Sequence, residues 1–268
     1  MTKKTITAGE KHMKKIILCL LAAFTFIAAG ANTQPTTKPL TLTFATEATY
    51  PPFESINAKG QLQGFDVDIV NALCKAIDAQ CTITNQAFDS LIPSLQLGKY
   101  SAIFGAMNIT EERAKQVDFT QQYYKDTASI VAAAINAAQL NQSLSGSTIG
   151  VQSGTTFVQY LNDTYGNAVT VNTYASAEAA FLDLTSGRIL AVMGDTPIIM
   201  TWLKKQTAGA YVLVGKPIDN AKYFGQGYGI AVRKGNGALL QQLNQALDTI
   251  KKNGVYDKIV QKYFGINS

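Results

Sequence analysis

Four stretches of the chain combine charged, aromatic and small residues in a way that suits capture of a small charged molecule. In Glu47-Ala48-Thr49-Tyr50-Pro51-Pro52-Phe53, Glu47 can meet a cation and Tyr50 can present a ring face to one. Pro51 and Pro52 stiffen this loop and hold Tyr50 extended. The same residues equally make a rigid turn with a solvated acid. In Gly105-Ala106-Met107-Asn108-Ile109-Thr110-Glu111-Glu112-Arg113, small residues let a ligand approach the backbone, and Arg113 lies about one turn into a helix. Its guanidinium can grip a carboxylate in a bidentate fork, or pair with a glutamate on the surface. Gln152-Ser153-Gly154-Thr155-Thr156 offers successive N–H groups at a helix start, which suit an anion or simply begin the helix. In Gly194-Asp195-Thr196-Pro197, Asp195 can cap a helix or receive an ammonium group.

Each stretch sits where a strand ends. Leu40 to Ala45 reads as a strand, as do Cys81 to Asn85, Ala102 to Ala106 and Thr127 to Ala133. Thr148 to Val151, Ile189 to Met193, Tyr211 to Val214 and Tyr228 to Val232 continue the series. Helical spacing links Ile69, Val70, Leu73 and Ile77 behind an Asp66 cap, and Leu91, Ile92 and Leu95 before Gly98. Thr110 and Ser176 start further helices, Pro197 fits the first turn of another, and Leu239, Leu240, Leu243, Leu247 and Ile250 mark a long one. Alternating strands and helices imply an α/β fold with mixed, mainly parallel sheets flanked by helices. The two series are similar in length and no low-complexity linker divides them, which points to two lobes with more than one crossing. Ligands in such folds bind at strand carboxyl ends and between lobes.

The 268 residues carry a formal charge of +5 and are 47% apolar, enough for a sizeable core. Lys14 and Lys15 precede an apolar run, Ile16 to Ala29, and Ala29-Gly30-Ala31 supplies small residues for cleavage. This is the pattern of a secretory signal peptide over residues 1–31, and the run is too short to span a membrane. The segment carries five lysines and Glu10, a net +4, so the remaining 237 residues are near +1. A near-neutral chain lacks the basic excess that nucleic acid requires. The single histidine, His12, leaves with the leader, which excludes His-based triads, metal sites and general bases. No P-loop and no G-x-S-x-G elbow is present. The Gly225, Gly227, Gly229 string precedes a strand rather than a helix and reads as structural. No metal and no cofactor are expected. Cys74 and Cys81 remain in an oxidising compartment, either as a disulfide or as two buried thiols.

Taken together, the chain resembles the periplasmic solute-binding proteins of amino-acid ABC transporters, most of all the arginine-binding and lysine/arginine/ornithine-binding members. The resemblance rests on Ala45 to Phe53, Gly64-Phe65-Asp66-Val67-Asp68, Phe88 to Leu95, Ile109 to Arg113, Gly187-Arg188, Gly194-Asp195 and Tyr223-Phe224-Gly225. It implies a type II two-lobe fold with two hinge crossings, the first lobe holding residues 32–126 and 222–268 and the second 127–221. It implies a Cys74–Cys81 disulfide, periplasmic location, a monomer, no catalysis, and delivery of ligand to a permease in the inner membrane. Arg113 matches the residue that holds the ligand α-carboxylate, helped by backbone N–H groups near Asn108 and Thr156. Asp195 matches the acid for the α-ammonium, together with the Gly105 and Ala106 backbone. Tyr50 and Phe88 match an aromatic sandwich, and Glu47 the acid for a distal cation. Gln152, beside Thr155, replaces an aliphatic residue, and its amide oxygen is placed to accept a guanidinium N–H.

The charges that matter are then three, Glu47, Arg113 and Asp195, and a net +1 ligand balances them. That favours a basic amino acid over glutamine, and the Tyr50 and Phe88 ring faces with the Gln152 amide oxygen suit the flat guanidinium of L-arginine better than lysine; lysine, ornithine, histidine and glutamine are the alternatives. A competing class is an enzyme of the same fold, such as a dehydratase of cyclohexadienyl substrates, which needs a positioned general acid.

Overall fold

The computed structural model describes residues 1–2, 39–125 and 127–265. Apart from Met1 and Thr2, the expected leader lies outside the described residues. The first strand, β1 (Leu40–Thr46), alternates threonine with apolar residues and is buried along most of its second half. It is followed by three short strands, β2 (Thr49–Tyr50), β3 (Glu54–Ile56) and β4 (Leu62–Gln63), which form a small antiparallel sheet. Helix α1 (Phe65–Ala76) lays Ile69, Val70 and Leu73 on the core and leads into β5 (Ala79–Asn85). Helix α2 (Leu91–Gln96), strand β6 (Ala102–Ile103), helix α3 (Glu111–Ala114) and strand β7 (Val117–Phe119) come next.

The chain then crosses into a second set. It comprises β8 (Ala128–Ala133), α4 (Ala134–Gln142), β9 (Thr148–Gln152), α5 (Thr156–Tyr165), β10 (Thr170–Tyr174), α6 (Ala177–Thr185), β11 (Ala191–Asp195), α7 (Thr196–Leu203) and β12 (Tyr211–Ile218). It returns through α8 (Ala221–Phe224) to β13 (Ala231–Arg233), α9 (Gly237–Lys252) and α10 (Val255–Phe264). Two five-stranded sheets result, ordered β5-β1-β6-β13-β7 and β10-β9-β11-β8-β12. In the first, β1 runs parallel to β5 and β6, while β13 is antiparallel to β6 and β7. In the second, β9 runs parallel to β10 and β11, while β8 is antiparallel to β11 and β12. The chain thus passes between the sheets twice, before β8 and after β12. This is the mixed α/β, two-crossing architecture anticipated above.

Both crossings meet an aromatic cluster. Tyr124, on the outgoing crossing, pairs with Tyr228, on the return, as an isolated antiparallel bridge. Around them Phe53 lies 5.3 Å from Tyr228 and Phe264 lies 4.8 Å from Tyr124, centroid to centroid. Phe53, Phe65 and Tyr228 have no solvent exposure, so each contributes about 2–3 kcal/mol of burial. Gly227 permits this approach: at φ +111° a Cβ would lie 2.2 Å from the Tyr124 carbonyl oxygen. The glycine string is structural, as its sequence context implied. Cys74 and Cys81 form a disulfide joining α1 to β5, with Cα atoms 6.2 Å apart.

Some boundaries differ from those read in the sequence. The strand from Ala102 stops at Ile103, because the backbone turns to positive φ at Gly105 and Ala106 and leaves the ladder. β11 begins at Ala191, two residues late, since Ile189 is buried as loop packing rather than as strand. β13 begins only at Ala231, and Tyr228 stands alone in its two bridges. Edge strand β10 exposes much of its polar Thr170-Val171-Asn172-Thr173-Tyr174 and gives little periodic signal. Asp66 does not cap α1. The cap position is Gly64, and the Asp66 carboxylate points into the core.

Candidate functional site

The four stretches converge on one narrow cleft between the two sheets. Each arrives from a strand end. Glu47 and Tyr50 follow β1, and Gly105 to Asn108 follow β6. Gln152 closes β9 before α5, and Asp195 closes β11 before α7. Arg113 sits in the short helix α3, whose start is held by the Thr110 hydroxyl accepting from the Arg113 N–H at 3.3 Å. Phe88 opens a 3₁₀ turn, Phe88–Ser90, after β5.

Tyr50, Phe88, Gly105, Ala106, Asn108, Arg113, Gln152, Thr155, Thr156 and Asp195 all line the cleft, together with Phe157. Glu47 does not reach that lining. It lies one side chain behind, where its two carboxylate oxygens accept from the Thr49 hydroxyl at 2.6 Å and from the Gln152 amide Nε2. Gln152 therefore uses its amide N–H₂ as a donor to Glu47, which leaves its oxygen for another donor. Thr155 donates its hydroxyl to the Gln152 carbonyl at 2.7 Å and fixes the turn into α5.

Besides the bond from Tyr228 to Asp195, further side-chain hydrogen bonds join residues held by the two sheets. The Tyr50 hydroxyl donates to Asp195 Oδ2 at 2.6 Å, Gln152 donates to Glu47, and Arg113 Nη2 donates to the Gly154 carbonyl at 3.1 Å. Arg113 Nη1 also donates to the Asn108 carbonyl at 3.0 Å, and its Cζ lies 5.5 Å from the Phe88 ring centre. The guanidinium is thereby oriented by two backbone carbonyls and a ring face. Asp195 occupies the cap position of α7 yet makes no cap bond, so its carboxylate faces the cleft instead of the helix.

Burial dominates the electrostatics. Glu47, Arg113 and Asp195 are 6%, 8% and 5% exposed. Desolvation raises Asp195 to about 6, against the lowering effect of hydrogen bonds from Tyr50 and Tyr228 and of the Arg113 charge. Burial also raises Glu47, opposed by its bonds from Thr49 and Gln152. Arg113 is lowered to about 10 by burial, with Asp195 pulling the other way, and stays charged at neutral pH.

The sequence reading of three consequential charges was incomplete. Glu54 and Asp66 are also buried, and they lie directly behind the Gly105–Ala106 backbone. Tyr228 was missed as well, because only the fold carries its hydroxyl to Asp195. Glu54 adjoins the Tyr50-Pro51-Pro52-Phe53 loop, and Asp66 resembled an ordinary helix cap. Two acids flanking a short hairpin, Glu54 and Asp66, were the available signal.

Residues 42–266 match the bacterial extracellular solute-binding proteins, family 3. The chain is 45% identical to the ABC transporter arginine-binding protein 1 of Escherichia coli strain K12, covering 94% of this chain and 99% of that one. It is 41% identical to the L-arginine-binding protein of Pseudomonas aeruginosa, covering 95% and 98%. Among solved structures, a Salmonella typhimurium periplasmic binding protein, described in terms of its high arginine specificity, superposes with a TM-score of 0.79 at 41% identity, covering 84% of this chain and 99% of that one. With the match running from the first strand to the end of the last helix, the chain belongs to family 3 of the bacterial extracellular solute-binding proteins.

Proposed function

We propose that this protein is the periplasmic solute-binding component of an ABC importer, and that it captures L-arginine between its lobes and delivers it to a membrane permease. The observation that carries this reading is the charge pattern of the cleft: one buried cation, Arg113, against buried carboxylates at Glu47 and Asp195. A zwitterion with a cationic side chain suits that pattern, whereas a neutral side chain leaves a buried carboxylate uncompensated. Relatives named for arginine at 41–45% identity and near-full coverage support the same ligand.

In this reading Arg113 holds the α-carboxylate, with N–H groups near Asn108 and Thr156, and Asp195 takes the α-ammonium beside Gly105 and Ala106. Tyr50 and Phe88 flank the aliphatic stem, and Glu47 with Gln152 receives the guanidinium. Residues 32–126 and 222–268 are read as one lobe and 127–221 as the other, which agrees with the strands of the two sheets, while the Tyr223 and Phe224 rings pack with Phe157 and Tyr160 on the second. Residues 1–31 act as the cleaved export signal. Because the ligand contacts both lobes only when they meet, binding favours closure about the two crossings. Arginine is carried, not transformed.

A thermal-shift panel of the common amino acids tests the specificity, since a ligand that binds only the folded state raises the melting temperature. Arginine is expected to give the largest rise. A larger rise with glutamine or glutamate, and none with a basic amino acid, overturns the reading. Mass spectrometry of the released ligand is expected to return arginine unchanged.

A further inference from the structure

Behind the cleft, Glu54 on β3 and Asp66 in the first turn of α1 are each 1% exposed. Asp66 Oδ2 accepts the Ala106 N–H at 2.8 Å and the Tyr123 hydroxyl at 2.6 Å. Among the described residues, the buried side-chain atoms without a hydrogen-bond partner are Glu54 Oε2, Asp66 Oδ1 and Thr46 Oγ1. All three residues meet at one place. A Cβ built on Gly105 would lie 3.1 Å from Thr46 Oγ1 and 3.5 Å from Glu54 Oε1, and Ala106 is tied to Asp66. Gly105 and Ala106 are the backbone that lines the cleft, and Ala106 holds a strained φ of +44° there.

Two ionised carboxylates in contact are acceptors only, and they repel. One proton between them converts the contact into a hydrogen bond and satisfies an oxygen on each. Burial raises both groups, Glu54 well above the ordinary range and Asp66 to about 6. Asp66 already accepts two hydrogen bonds, which stabilise its ionised form, so the proton belongs on Glu54.

We infer that Glu54 and Asp66 share one proton, fix the Gly105–Ala106 turn, and hold a single negative charge beneath it that selects net-positive amino acids over neutral ones of the same shape. This rests on the amino-acid reading of the cleft and deepens it. Arg113 is the one buried cation among the described residues, and the charge that acts on it is that of Asp195. The site therefore carries more negative charge than Glu47 and Asp195 alone supply, and an arginine of net +1 offsets part of it where its neutral isostere citrulline offsets none.

The test compares arginine and citrulline by calorimetry at pH 7.5, on the wild type, E54Q, D66N and the double variant E54Q/D66N. In E54Q the amide donates to Asp66, which keeps the charge. In D66N the amide donates to Glu54, which takes the charge over. Each single substitution therefore leaves the arginine-to-citrulline ratio near wild type, even where both affinities shift together. The double variant removes the charge, and its ratio is expected to fall by about tenfold or more. A reduced ratio in either single variant overturns the shared proton. An unchanged ratio in the double variant overturns the selective role, and equal losses of both ligands there reduce the pair to packing. Should the double variant not fold, the two single variants still decide the proton sharing. A wild type that binds arginine no better than citrulline refutes the arginine reading itself, and the inference falls with it.

Discussion

Arginine affinity should weaken as the pH falls through about 6, because the α-ammonium is received by an ionised Asp195 whose pKa is raised to about 6. The cause is burial, which outweighs the hydrogen bonds from Tyr50 and Tyr228 and the attraction of Arg113. At pH 7.5 only about 3% of an acid with that pKa is protonated, and at pH 5.0 about 90% is. Binding that needs the ionised form then loses about tenfold in affinity between those values. Glu47, raised in the same direction, and Asp66, raised to about 6, can only add to the loss. The assay is isothermal titration of arginine at pH 7.5, 6.5, 5.5 and 5.0 at constant ionic strength, repeated with D195N. The variant should bind more weakly at pH 7.5 and show a flatter profile. A constant wild-type affinity across the range, or a D195N profile as steep as that of the wild type, refutes the reasoning.

Arg113→Ala should lower arginine affinity by about thirtyfold to a few thousandfold in the same titration, since truncating one partner of a buried charged hydrogen bond costs about 2–5 kcal/mol; an unchanged affinity sinks its role. Without ligand, stability should fall as pH rises from about 4 to about 6. Asp195 and Asp66 have folded-state pKa values raised above the unfolded value of about 3.9, so the folded state binds more protons in that window. Each group contributes up to about 2–3 kcal/mol to that loss, so the urea midpoint should be lower at pH 7 than at pH 4.5, and a midpoint that rises instead contradicts it. The double replacement C74S/C81S should cost about 2 kcal/mol, because the bridge closes a loop with a sequence separation of 7. Equal denaturant midpoints with and without the bridge would contradict that.

Much of the architecture is visible in local patterns. Ile69, Val70 and Leu73 repeat at helical spacing and are buried in α1. Leu239, Leu243, Leu247 and Ile250 repeat likewise and are buried in α9. Thr110 and Ser176 cap the helices their positions announce, with bonds to Arg113 N–H and Ala179 N–H. Edge strand β10 and the displaced starts of β11 and β13 were less legible, because burial there depends on neighbours distant in sequence.

For the site, residue type and position near strand ends marked Arg113, Asp195 and Tyr50 as candidates with a bland alternative each, and the family resemblance supplied the roles, that of Gln152 included. What they do to one another was decided by tertiary structure. Tyr50 reaches Asp195 across 145 residues of sequence, and Gln152 reaches Glu47 across 105. Glu54 and Asp66 have the composition of ordinary surface acids. Only the packing of β3, α1 and the Gly105–Ala106 turn removes them from water, and the loss of solvation makes a shared proton cheaper than two charges. Local chemistry names the groups that can bind, while long-range packing sets their solvation and partners, and with them their charge.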